Sequence, residues 1–197
     1  MKDRKNCTDE GLWQQYFEKN TWIFGYGLGY LFLSSLDDKK LEQVVQGYSI
    51  TTHGKRVDAL MKTKGIISSL CFVEIKTHKT PLLESKSYRS GCWAPSKELS
   101  GAVSQMQGTV SSAINNLRNK VILEDKEGNP TGEEVFNYQP KSYLVIGSLS
   151  EFEGDHGVNI EKYRSFELYR KNTINPEIIT FDELYERARY IVHQNES

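Results

Sequence analysis

Cysteine is scarce in this chain. Cys7, Cys71 and Cys92 are odd in number and share no metal-ligand spacing, which argues against a disulfide framework and a zinc site. Their pattern predicts a reducing, cytoplasmic setting, with Cys71 a plain core residue. Long hydrophobic runs are missing too: none approaches the roughly 18 residues of a membrane span. The charged N-terminus is not that of a signal peptide, so no membrane partner is expected. There is no GxGxxG. The stretch Trp22-Ile23-Phe24-Gly25-Tyr26-Gly27-Leu28-Gly29-Tyr30 reads as a bent strand or turn stacked with aromatics rather than as a phosphate cradle. His53, His78, His156 and His193 are scattered, and no Ser/His/Asp nucleophile set is evident. Internal repeats and low-complexity tracts are absent.

What is present is an ordinary globular composition over 197 residues, rich in aromatics (11 Tyr, 8 Phe, 3 Trp). That length predicts a single domain over 1–197, with a core about 22–188, an N-terminal helix about 8–20 and a flap about 80–95. The net charge of −1 hides an asymmetry. Residues 52–98 hold nine Lys/Arg against four acids, giving +5 and leaving −6 for the rest. Concentrated positive charge of this kind suits phosphate contact.

Thr8 is placed to cap the first helix, with Asp9 and Glu10 in its first turn and Leu12, Trp13, Tyr16 and Phe17 as its apolar stripe; Asn20 ends it. Val44–Ile50 reads as a strand paired with the one around Arg56-Val57-Asp58-Ala59-Leu60-Met61, which pairs in turn with Ile66–Ile75. Thr80–Pro95 has no periodicity and is expected to form a substrate-facing flap, with Tyr88 or Trp93 able to stack. Leu99, Ala102, Val103, Met106, Val110, Ala113, Ile114 and Leu117 recur at helical spacing, with Gln105 at the edge of the stripe. Glu124–Gly132 reads as an exposed excursion and Lys141–Gly147 as a buried strand. Near the end, Ile178-Ile179 leads into a helix through a Thr180/Glu183 capping box, with Leu184, Tyr185, Ala188, Ile191 and Val192 on its buried face.

The chemistry is concentrated at Asp58, Glu74, Lys76 and Gln105. Side chains two apart on a strand share a face, so Glu74 and Lys76 point together while Val73 and Ile75 enter the core. A Glu-x-Lys pair alone is often a solvated or cross-strand ion pair. Here the pair and Asp58 lie in apolar strands, where desolvating them costs several kcal/mol unless they are paired or hold a metal. An acid, an apolar Glu-x-Lys run and a downstream helical Gln together form the residue set of a metal-dependent nuclease.

The order Asp58, Glu74-x-Lys76, Gln105 resembles the PD-(D/E)XK nuclease superfamily, which implies an α/β fold with a restriction-endonuclease-like core: a central mixed β-sheet flanked by helices. More narrowly, Arg56-Val57-Asp58, Val73-Glu74-Ile75-Lys76-Thr77-x-x-Thr80-Pro81-Leu82, Tyr88-Arg89-Ser90-Gly91 and Pro95-Ser96-Lys97-Glu98-Leu99 resemble the nuclease domain of the Shedu anti-phage defence proteins. The resemblance runs from about Trp22 to about Ala188, and the first acid follows Val57 rather than Pro. Shedu proteins usually carry a variable N-terminal region, little of which is present here. The resemblance implies a Mg²⁺-dependent endodeoxyribonuclease, with Mn²⁺ as substitute, that nicks double-stranded DNA as a homo-oligomer. Asp58, Glu74 and the Ile75 carbonyl would hold the metal. Lys76 would orient the attacking water and stabilise the transition state, and Gln105 would position water or a phosphate oxygen. Glu18, with Glu10 behind it, is the candidate for an additional acid. Lys55, Arg56, His78, Lys79, Lys86 and Arg89 are the candidate DNA contacts. The alternatives are a nuclease of the same fold serving repair, recombination or restriction, and a catalytically silent module that binds DNA or a partner.

Overall fold

The structure is a computed structural model in which residues 10–20, 23, 33–35, 59–63, 67–116, 119–124 and 129–194 are described. Along the chain these form α1 (Glu10–Lys19), β1 (Leu33–Ser35), β2 (Ala59–Thr63), β3 (Ser68–Ile75), α2 (Lys97–Asn116), β4 (Lys120–Glu124) and β5 (Pro130–Val145). A short 3-10 turn (Leu149–Phe152) and the hairpin strands β6 (Glu153–Gly154) and β7 (Gly157–Val158) follow, then α3 (Ile160–Asn172), β8 (Glu177–Ile179) and α4 (Phe181–Gln194).

The main sheet runs β1-β2-β3-β5-β4, with β8 alongside the second half of β5. It is mixed: β3 and β5 are parallel, as are β5 and β8, whereas β1, β2 and β4 pair antiparallel with their neighbours. Parallel neighbours need a crossover, and here the β3-to-β5 connection passes through α2. β3 is buried almost throughout, as expected for a strand covered on both faces.

Two cores form, and period-2 alternation sends every second residue of β3 into one of them. Cys71, Val73 and Ile75 join Met61, Tyr143, Val145 and Ile179 beneath Phe17 of α1 and Phe181, Leu184 and Ala188 of α4. On the opposite face, Leu99, Ala102 and Val103 of α2 and Phe166 of α3 pack with Leu82, Leu144, Ile146 and Phe152. Each fully buried large apolar side chain contributes on the order of 1.5–3 kcal/mol. The result is a mixed α/β architecture with a central mixed sheet flanked by helices. No described helix is long and apolar enough to cross a membrane.

Several edges of the sequence reading shift. Leu12, Ile114, Tyr185 and Val192 border their apolar stripes and are exposed rather than buried, since a stripe about 100° wide leaves its margins in water. The strand expected at Lys141–Gly147 ends at Val145 and is the last part of a 16-residue strand that reaches back to Pro130, within the expected excursion. Against β3, the register jumps from Ser69↔Phe136 to Cys71↔Lys141, so four residues of β5 stand opposite one of β3. Gln139, at φ 43°, lies in that bulge. Thr8 and Val44–Ile50 fall outside the described residues, as does most of Trp22–Tyr30; β1 flanks β2 on the side away from β3.

Candidate active site

Glu74 is the penultimate residue of β3 and sits on the α2 face, 3% exposed. A carboxylate withdrawn from water this far needs partners. Lys76 Nζ lies 2.9 Å from Glu74 Oε1. From the middle of α2, Gln105 Nε2 donates to the same oxygen at 3.2 Å. The sequence-predicted trio of Glu74, Lys76 and Gln105 is thus brought together at one carboxylate oxygen.

Local sequence explains why each group arrives there. Lys76 follows the last residue of β3, and its backbone N–H donates to Val145 O at 2.8 Å, so the sheet fixes the start of its side chain. The chain then turns: Thr80 Oγ1 accepts from Thr77 N, and Thr77 O accepts from Gly147 N. Gly147 has φ +61°, and a Cβ there would lie 2.6 Å from Leu82 Cδ2 and 2.8 Å from Thr80 O. Thr77, Thr80 and Gly147 therefore set the exit of Lys76 from the sheet. Sequence reading did not single them out for this role; the turn chemistry of Thr-x-x-Thr-Pro is the signal that marks the bend. Gln105 is held by α2, whose N-cap is Ser96: its Oγ accepts from Leu99 N at 3.0 Å and donates to Pro81 O at 2.6 Å.

Other candidates lie elsewhere. Asp58, Lys55 and Arg56 are outside the described residues. Glu18 belongs to α1, but its side chain is likewise undescribed, and Glu10 is exposed. β3 ends before His78, which occupies the turn and packs toward the opposite face, its ring 6.2 Å from Trp13 and 6.1 Å from Phe181. Its Nδ1 is buried without a partner. Burial, with Lys79 adding to it, lowers its pKa and favours the neutral ring. Cys71 is inert core, its thiol pushed up to about 12 chiefly by burial.

The 80–95 segment is a strap fixed at several points. Glu151 accepts from Leu82 N at 2.6 Å and Leu83 N at 3.2 Å, and Glu84 accepts from Lys97 N. Farther along, Arg164 donates to Gly91 O, Ser165 Oγ accepts from Trp93 N, and Lys162 covers the Trp93 ring at 4.6 Å. Trp93 is thus engaged with α3, whereas Tyr88 is exposed beside Arg89, and Lys79 and Lys86 are also exposed.

A cavity of about 1250 Å³ opens beyond the carboxyl ends of β3, β5 and β8, between His78, Trp13 and Phe181 on one side and Ser96 and Lys97 on the other. Its walls do not include Glu74, Lys76 or Gln105. The buried carboxylate and this cavity are therefore separate features of the structure.

The donor set fits a hard divalent cation in kind. Glu74 supplies carboxylate oxygen at a position that already draws a cationic ammonium, and Ile75 adds a backbone carbonyl at the strand end. Among the described residues no three His, Cys, Asp or Glu form a metal-holding group, and Asp58, the other acid of the motif, is not among them.

Residues 8–185 match the family described as Shedu protein SduA, C-terminal. The chain belongs to that family. The Shedu match takes in Asp58, Glu74, Lys76 and Gln105 together with every described strand. A Shedu protein SduA from Bacillus cereus (strain B4264) is 30% identical over 186 residues, which cover 94% of this chain and 46% of that relative. The chain thus spans about half the length of the curated Shedu relative.

Proposed function

We propose that this chain is a metal-dependent DNA endonuclease of anti-phage defence, built on a PD-(D/E)XK core and acting on double-stranded DNA. The observation that carries the reading is the meeting of Lys76 and Gln105 on the buried carboxylate of Glu74 within a Shedu family member.

Asp58, Glu74 and the Ile75 carbonyl would hold Mg²⁺, or Mn²⁺ in its place. Asp58 precedes β2 in sequence, and the first residue of β2, Ala59, pairs antiparallel with Val73, the neighbour of Glu74. When bound, the metal supplies Lewis-acid polarisation of the scissile phosphate and lowers the pKa of a water.

The protein groups supply the remainder. Lys76, anchored through its backbone to Val145, presents an ammonium beside the carboxylate, where it orients the attacking water and offsets charge developing on the phosphate. Gln105 fixes the Glu74 carboxylate by its hydrogen bond, so it acts through Glu74 as a positioning residue. Lys79, Lys86 and Arg89 are exposed for phosphate contact. Assembly into a homo-oligomer would bring two such sites to one duplex.

Supercoiled plasmid incubated with Mg²⁺ or Mn²⁺ tests the reading. Open circles are expected from the wild-type protein and neither from Lys76→Ala nor in EDTA. Linear product would show paired sites. Cleavage that persists in folded Lys76→Ala overturns the assignment, as does a folded wild-type protein that cuts under no metal condition.

A further inference from the structure

The Glu74–Lys76 pair carries an implication for how the site is loaded. Lys76 Nζ is 2.9 Å from Oε1 of a carboxylate whose side chain is 4% exposed, while Lys76 itself keeps 20% exposure. Gln105 holds that same oxygen at 3.2 Å. A divalent cation on Glu74 would sit roughly 2.0–2.1 Å from a carboxylate oxygen. It would then face the ammonium at a few ångströms in a setting screened weakly by solvent, and the two positive charges repel. Gln105 is neutral and stays compatible with either cation. Lys76 is the more exposed of the two charged partners, so its ammonium loses less on leaving the contact for water than the Glu74 carboxylate would.

We propose that Lys76 is the resident counter-ion of Glu74 and yields its place when a divalent cation binds, so that metal loading releases the ammonium toward the phosphate. The proposal rests on the metal-dependent reading above. Its physical content is a negative coupling: the Lys76–Glu74 contact and metal occupancy oppose each other, and each weakens the other by the same factor. The pairing also has a folding use, since it keeps the buried carboxylate compensated before any metal arrives.

The test is Mn²⁺ binding at one fixed pH, measured by calorimetry on wild type, Lys76→Met and Glu74→Gln. Lys76→Met keeps the length of the stem and removes the charge. We expect it to bind Mn²⁺ about tenfold more tightly than wild type, and Glu74→Gln to lose binding. Mn²⁺ should also raise the Tm of Lys76→Met more than that of wild type, because the metal there restores a missing counter-charge. Equal or weaker binding by Lys76→Met overturns the displacement while leaving the metal site standing. Absence of binding in all three proteins overturns the metal reading and the inference with it. A wild-type measurement covers the case in which Lys76→Met does not fold: the rate of Lys76 acylation, followed by mass spectrometry, should rise severalfold when Mn²⁺ is added. An unchanged or slower rate would refute the displacement.

Discussion

Gln105 Nε2 stands 3.2 Å from Glu74 Oε1, a neutral donor on a buried carboxylate that joins the middle of α2 to the end of β3 across 31 positions. Hydrogen bonds to charged groups are worth about 1.5–3 kcal/mol. Gln105→Ala should therefore lower stability by about 1–3 kcal/mol in urea denaturation and reduce nicking about 10–100-fold, as loss of an orienting partner does. Gln105→Glu should be worse in both respects, because it sets a second carboxylate against the first.

Gly147 gives a sharper stability test. A Cβ there meets both Leu82 Cδ2 and the Thr80 carbonyl below 3 Å, on a backbone at φ +61°. Strain and overpacking together should cost Gly147→Ala about 2–4 kcal/mol. Gly91 has a similar φ, +69°, but its Cβ would approach only the ends of two long side chains, Glu161 Oε1 at 3.2 Å and Arg164 Nη2 at 3.4 Å. Gly91→Ala should accordingly lose only about 1 kcal/mol. Denaturant midpoints of the two variants, measured side by side, check the contrast.

Glu183 predicts an acid-dependent stability. Burial alone would raise its pKa, but hydrogen bonds from Arg170 at 2.7 and 2.8 Å and from Thr180 at 3.0 Å outweigh that and hold it below the ordinary 4.5. A lowered folded-state pKa means the contribution is present above about 4.5 and is lost as the pH falls through the lowered value. Glu183→Gln should cost about 2 kcal/mol at neutral pH, short of the loss for a fully buried pair because both partners keep some exposure. Its Tm should also fall less than that of wild type between pH 5 and about pH 3. Scanning calorimetry across that interval is the measurement.

Glu151 makes the strap testable. Its carboxylate receives the Leu82 and Leu83 amides, and both residues are buried. Glu151→Ala should speed hydrogen exchange at those two amides well above its effect on β3, and lower stability by about 1–3 kcal/mol. Unchanged protection at Leu82 and Leu83 would mean that the Ser96–Pro81 and Ser96–Leu82 contacts suffice to hold the strap.

Local periodicity made much of this legible. Alternation in β3 places Glu74 on one face with Cys71, Val73 and Ile75 on the other, and the stripe of α2 puts Gln105 where it can reach the sheet. The Thr180–Glu183 cap was readable because its partners are three residues apart. What sequence concealed is non-local. Glu151 meets Leu82 across 69 positions, and nothing near either residue announces the contact. The outer half of β5 reads as a polar excursion because Pro130–Glu134 are all exposed and carry no buried face to produce alternation. The position of His78 is set by the turn at Thr77–Thr80, which ends the alternation of β3 and carries the ring toward Trp13. Asp58 lies outside the described residues.

The parallel pairing of β3 with β5 ties the timing of the chemistry to the folding of the whole sheet. Glu74 and Lys76 are neighbours in sequence, but Lys76 is anchored by Val145, and Val145 is bordered in turn by Ile179 of β8. A growing chain therefore displays its acidic and basic groups before it can hold them in register, since β5 and β8 are made after β3. Only when Glu177–Ile179 have joined does the anchor gain its neighbour on the far side. For a protein proposed to cut DNA, that order is a safeguard: an unfinished or unfolding copy loses its working geometry together with its fold.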